Sequence, residues 1–311
     1  MKVPFVKMHG ASNDFIVVDE WKSEAVPEAE KRDFVVKVSG RHTGVGSDGV
    51  IFVHKSERAD AKFVFYNPDG SLAEMCGNGI RCFAKYVYES QYVTKTDVRV
   101  ETLAGLKRLF LTLADDKVDH VRVDMGGPQL LRGEIGILGN PKETFVRREV
   151  SVDGSSYVLT CVGIGNPHAI LFVEDLDKQD IVSLGRKIRN MKELFPRGIN
   201  VHFVRNEGKN RFRIRSYERG VEDETLACGT GVCASAVAAV LNELADPRRV
   251  IRFYTRGGEL NVELGMEENR IVKVFLVGPA VEVFRGEIEF DQTEKFQQAA
   301  YSFLRDTSKS K

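Results

Sequence analysis

Two cysteines sit in the same local grammar. Near the three-quarter point of the 311-residue chain, Ser216-Tyr-Glu-Arg-Gly220 leads through a short acidic run to Thr225-Leu-Ala-Cys228-Gly-Thr-Gly231, followed by the apolar residues 232–241. Upstream, Phe65-Tyr-Asn-Pro-Asp-Gly70 leads to Met75-Cys76-Gly-Asn-Gly79 and a second helical pattern over 80–88. Each reads strand, polar turn, Cys-Gly-x-Gly, helix. A cysteine just ahead of a helix meets free backbone N–H groups and the positive end of the helix dipole. That setting lowers a thiol's pKa and favours the thiolate. One such residue alone is equally well a small buried hydrophobe; two in matching settings point to shared chemistry.

Inverting a stereocentre that bears a hydrogen needs a base on one face and an acid on the other. A thiolate and a thiol supply both, exchanging roles in the reverse reaction, and their titration belongs to the pair. Gly77-Asn78 and Gly229-Thr230 serve a different purpose. Their N–H groups, at two helix N-termini, can hold one anion, most simply a substrate α-carboxylate. Charge moves onto that carboxylate as the hydrogen leaves, so donors placed there favour the transition state.

The two cysteines must face each other, and the rest of the chain supplies the reason. Cys76 and Cys228 are offset by 228 − 76 = 152 residues. Four further pairs keep this offset to within a residue: Asn13 with Asn166, Gly46 with Gly198, Gly105 with Gly257, and Gly127-Pro128 with Gly278-Pro279. Self-similarity at one fixed spacing indicates tandem duplication. The expected fold is mixed α/β: two pseudo-symmetric domains with the site in the cleft between them, where ligands commonly bind. Strands dominate the pattern, with helices expected at 27–38, 79–90, 181–190 and 294–304 and a hairpin turning at Asp153-Gly154.

Composition narrows the class. Hydrophobic residues make up 42% and charged ones 29%, enough for one large or two medium cores. Lys+Arg and Asp+Glu both number 45, so nothing suggests nucleic acid or an anionic membrane surface. No stretch resembles a signal peptide or a membrane span of about 18 apolar residues. Five cysteines do not form a disulfide scaffold, so a reduced, cytoplasmic setting is expected. Cys82, Cys161 and Cys233 read as core. No Cys/His spacing matches a zinc pattern, and no metal is expected.

Other polar positions suit an amino-acid ligand. Glu218 could take an ammonium and Arg219 a distal carboxylate. Asn13, Asn67, Asn166 and Asn200 sit in turns beside strand ends, where each could equally satisfy its own backbone. His168 could hold Glu218 or a substrate group.

These residues resemble the diaminopimelate epimerases over nearly the whole chain. The likeness rests on Lys7-Met-His-Gly-x-x-Asn13-Asp-Phe, Arg41-His-x-Gly-x-Gly-x-Asp48, Asn67-x-Asp-Gly and Met75-Cys-Gly-Asn-Gly-x-Arg-Cys82. It continues in Gly165-Asn-Pro-His168, Asn200, Tyr217-Glu-Arg-Gly220 and Ala227-Cys-Gly-Thr-Gly231. The resemblance implies pyridoxal-independent interconversion of LL- and meso-diaminopimelate, with Cys76 and Cys228 as acid and base and no cofactor. Gly77, Asn78, Gly229 and Thr230 would cradle the reacting carboxylate, and Asn67, Asn166, Asn200 and Arg219 the distal end. Asn13, His168 and Glu218 would complete the pocket. It further implies β-structures wrapped round central helices, a homodimer, and domains of 1–128 plus 277–311 and 129–276, the last strand returning to the first. The link from Arg219 to Cys228 is one residue longer and more acidic than the family's common form, and Gly49 stands where some members carry glutamine. A racemase of the same fold acting on histidine, a non-catalytic amino-acid binding protein and a thiol redox enzyme are the alternatives. Both Cys-Gly-x-Gly turns argue against mere binding, and no Cys-x-x-Cys supports redox work.

Overall fold

Phe15-Ile-Val-Val18 and Val50-Ile-Phe-Val53 are apolar at every position, the pattern of strands covered on both faces, and all of these side chains are shielded from solvent. In the computed structural model, which describes residues 1–291, one face of this layer packs on the first cysteine helix, Gly77–Glu89. The other packs on the shorter helix Lys31–Ser39. Lys2–Gly10 and Asn13–Asp19 run antiparallel. The second of these lies parallel to Val50–His54, which is antiparallel to Ala61–Tyr66, which in turn is parallel to Asp97–Thr102. Gly105–Ala114 and Lys117–Gly126 finish the half as a meander.

The second half repeats that order. Ser155–Gly163 is antiparallel to Pro167–Phe172, followed by Asn200–Gly208 (parallel), Arg211–Glu218 (antiparallel) and Ile251–Thr255 (parallel). Gly258–Glu267 and Arg270–Pro279 close it. The second cysteine helix, Gly229–Leu241, takes the place of Gly77–Glu89, and Ile181–Arg189 that of Lys31–Ser39. The fold is mixed α/β with two pseudo-symmetric halves, and the duplication is visible strand by strand. At the Asp153-Gly154 turn, φ values of 51° and 80° give the left-handed pair that a tight two-residue hairpin needs.

Val232-Cys-Ala-Ser-Ala-Val-Ala-Ala has no polar face, and such a helix must be sheathed on all sides; every one of these residues is buried. Cys82, Cys161 and Cys233 are core residues, and burial pushes the thiols of Cys82 and Cys233 up to about 12. Two strands tie the halves together. Arg270–Pro279, which spans the join expected at 276–277, pairs antiparallel with its own counterpart Lys117–Gly126, Leu276 opposite Val123. Val281–Glu289 returns to Lys2–Gly10. The helix expected at 294–304 lies outside the described residues.

Phe83, fully buried on the first cysteine helix, meets the ring of Phe63 edge-on at 5.4 Å. Phe83→Ala is expected to cost about 3–5 kcal/mol, read as a lower urea midpoint at unchanged slope. An unmoved midpoint would remove this helix from the role of central core.

Candidate active site

Cys76 and Cys228 are the N-cap residues of the two central helices, both in extended conformation (φ −134° and −112°). The helix N-termini meet. A Cβ on Gly229 would stand 3.9 Å from Gly77 Cα and 3.0 Å from a methyl of Leu276, and one on Gly77 would stand 3.3 Å from that same methyl. Both glycines are thus set by how closely the backbones approach Leu276. Asn78 joins the halves. Its Nδ2 donates to Asn13 Oδ1 at 3.1 Å and to Ala227 O at 3.4 Å, while its Oδ1 accepts from Arg81 Nη1 at 3.0 Å.

Between the halves lies a cavity of about 720 Å³. Among the residues singled out from sequence, Asn13, Asn67, Cys76, Gly77, Asn78, Asn166, Glu218, Cys228, Gly229 and Thr230 all line it. Asn200, Arg219 and His168 stand outside that lining. Asn200 is buried, its Nδ2 donating to Pro167 O (3.0 Å) and its Oδ1 accepting from Arg219 N (2.9 Å). The Arg219 guanidinium donates to the carbonyls of Arg197 (3.2 Å) and Gly198 (3.4 Å).

The thiols depart from expectation. Cys76 Sγ does accept from Gly79 N at 3.4 Å, as an N-cap should. Burial nevertheless raises its pKa, outweighing the Gly79 and Asn78 N–H groups and the Arg81 guanidinium, which favour the thiolate. Cys228 is raised well above the ordinary thiol value, first by burial and then by Glu218 beside it. The lowered pKa expected from helix position is therefore corrected: removal from water disfavours the thiolate more than the helix end favours it. Burial also pushes the Glu218 carboxyl up, against hydrogen bonds from Thr225 and Cys228.

His168 does not hold Glu218. Its Nε2 meets Asn166 Oδ1 at 2.8 Å, and its Nδ1 meets His202 Nε2 at 2.8 Å. His202 Nδ1 in turn meets Ser216 Oγ at 2.8 Å. Asn166 Oδ1 only accepts, so His168 carries its proton on Nε2, and the protons of His202 and Ser216 follow in order along the chain. This buried relay fixes the Asn166 amide against the cavity. Gly231 makes room for it, since a Cβ there would collide with the His202 ring. Nothing in the motifs singles out His202, and Ser216 figures only as the first residue of the Ser216–Gly220 stretch. Their only signal is alternation along the two paired strands Asn200–Gly208 and Arg211–Glu218.

The sequence matches the family model described as diaminopimelate epimerase over residues 5–131 and 160–283. It is 42% identical over 288 residues to the diaminopimelate epimerase of Acetivibrio thermocellus, covering 93% of this chain and 99% of that one. It is 44% identical over 285 residues to that of Caldanaerobacter subterraneus, covering 92% and 99%. The chain belongs to the diaminopimelate epimerase family. Solved structures similar to it include a probable proline racemase from Agrobacterium radiobacter (TM-score 0.67, 16% identity, 93% of each chain). Another is a hydroxyproline epimerase from Agrobacterium vitis (TM-score 0.66, 16% identity, 94% and 93%). At that identity they bear on the fold alone.

The acidic link after Arg219 is held locally by arginines. Glu222 pairs with Arg189 at 2.7 Å, and Glu224 takes a two-pronged bond from Arg215, both arms 2.7 Å. Thr225 still reaches the Glu218 carboxylate with its hydroxyl. On the opposite wall Asp48 accepts from Asn13 Nδ2 at 2.6 Å and pairs with Arg41 at 2.6 Å. The Asn13 oxygen is thereby turned to Asn78 and Cys76.

Burial holds His168 well below 6.5 and His202 down to about 3. Below pH 6.5 the unfolded chain binds protons that the folded chain refuses, so this contribution to stability is present above pH 6.5 and lost as pH falls. Urea unfolding is expected to show a smaller loss of stability between pH 7 and 5 in His202→Gln than in the parent. Equal losses would mean the relay titrates freely.

Proposed function

We propose that this chain epimerises LL-diaminopimelate to meso-diaminopimelate without pyridoxal phosphate, Cys76 and Cys228 flanking the reacting α-carbon. What carries the reading is two N-cap thiols from equivalent helices opening on one cavity, in a chain of this family. One cysteine, as thiolate, takes the α-hydrogen. The electron pair left on carbon spreads into the α-carboxylate, which the N–H groups of Gly77, Asn78, Gly229 and Thr230 hold at the two helix ends. The second cysteine delivers its proton to the opposite face, so the first ends as thiol and the second as thiolate. Glu218 receives the substrate ammonium. Asn67, Asn166, Asn200 and Arg219 engage the distal end, the histidine relay holding Asn166 and the Asn200 oxygen also holding the Arg219 backbone. Asn13, oriented by Asp48, completes the wall beside Cys76. The same reading makes the working unit a cytoplasmic homodimer; among the described residues no helix is long and apolar enough to cross a membrane.

Exchange of the α-hydrogen with deuterated solvent, in both LL- and meso-diaminopimelate and without pyridoxal phosphate, is the direct check. Exchange with histidine but not diaminopimelate would shift the assignment to a different racemase. Cys76→Ala and Cys228→Ala are each expected to reduce kcat by at least about 10²–10⁴-fold with KM little changed, and an active single mutant would contradict the two-base scheme. Because burial raises both thiols, the thiolate is scarce at neutral pH. The ratio kcat/KM is therefore expected to climb from pH 7 to 9, turning down only where the second thiol also ionises. A plateau already reached below pH 8 would mean the thiols are not raised.

A further inference from the structure

Behind Cys228, three buried metal-ligating side chains converge from three separate elements. His168 comes from strand Pro167–Phe172, His202 from strand Asn200–Gly208, and Cys228 from the start of the second cysteine helix. One ring nitrogen of each histidine and Cys228 Sγ all lie within 4.8 Å of one another. We propose that this cluster binds a thiophilic divalent cation of the Zn²⁺ class, and that binding takes Cys228 out of proton transfer. The ligands share no local spacing, so only the folded chain brings them together.

The surroundings match what such a cation needs. Metal-ligating imidazoles characteristically use their second nitrogen on a fixed polar partner. Here His168 Nε2 is engaged by Asn166 Oδ1 and His202 Nδ1 by Ser216 Oγ, both at 2.8 Å. That leaves His168 Nδ1 and His202 Nε2 facing each other across a single proton. With bonds of about 2.0–2.1 Å to nitrogen and 2.3 Å to sulfur in a tetrahedron, the cation replaces that proton and parts the two rings slightly. A water from the cavity supplies the fourth ligand.

Protons balance as follows. The Cys228 thiol loses its proton to solvent. The His202 proton moves from Nε2 to Nδ1, and the Ser216 hydroxyl turns from donor to acceptor. One proton is released per cation. A bridge between Cys76 and Cys228 would instead release two.

Zn²⁺ titrated calorimetrically into the reduced chain, in two buffers of different ionisation enthalpy, tests this. The expected result is one site releasing one proton and persisting in Cys76→Ser. Affinity should fall about 100-fold in His202→Gln and about tenfold in Ser216→Ala. Release of two protons, or loss of the site in Cys76→Ser, overturns the proposal in favour of a dithiolate bridge. Unchanged affinity in Ser216→Ala and His202→Gln overturns it in favour of surface binding. If His202→Gln does not fold, the proton count on the parent chain and the Ser216→Ala titration decide. Inhibition of turnover by Zn²⁺ rests on the two-thiol epimerase reading, whereas binding and proton release do not, so the two can fail separately.

Discussion

Two helix N-termini brought against each other are an electrostatic liability. Each carries roughly half a positive charge, and here Arg81 adds a guanidinium that is wholly buried, bonded to neutral oxygens of Gly77, Asn78 and Pro279. Its Nη2 finds no partner among the described residues. Concentrated positive potential in a dry place is relieved by an anion, and the proposed reaction brings two to it, a thiolate and a carboxylate. The glycines beside the cysteines, the Leu276 methyl beneath them and the Asn78 amide across them hold this arrangement together. Chemistry at the α-carbon therefore uses a repulsion that the fold has already overcome.

The raised thiols follow from the same constraint. A pair of permanently ionised cysteines would repel both each other and the incoming carboxylate's charge. Burial keeps protons on the sulfurs until charge is needed. The two are unequal: Cys76 looks toward Arg81 and backbone donors, Cys228 toward the Glu218 carboxyl. Removing a proton is easier on the first side, and keeping one is easier on the second.

Much of this was legible in the chain. The apolar runs marked strands and the residues after each Cys-Gly-x-Gly marked helices, while the place of those helices at the centre of each half came from the family resemblance. Recurring Cys-Gly-x-Gly turns at one offset announced a doubled protein with a shared cleft. What stayed hidden depends on distance through space. His202 and Ser216 look like ordinary strand residues until Gly231 brings a helix against them. The bonds of Asn200 to the Pro167 carbonyl and the Arg219 N–H depend on strand register and were likewise hidden. The direction of the thiol shifts could not be inferred from helix position, because desolvation is decided by the second half closing over the first. Nearness to a motif suggests Glu218 as the partner of His168, whereas the strand order gives it another histidine.

The pairing of Arg270–Pro279 with Lys117–Gly126 joins a strand to its own counterpart. A single half made alone would carry this edge unpaired, and two identical copies would satisfy it by the self-complementary contact of a two-fold dimer. In such a dimer any change on one wall of the cleft is imposed on the other. Fusion into one chain lifts that constraint: at the position equivalent to Glu218 the first half carries Tyr66, whose hydroxyl bonds Glu28. One wall is thus free to carry a buried carboxylate that its twin lacks, so the two sides of the cleft need not be mirror images.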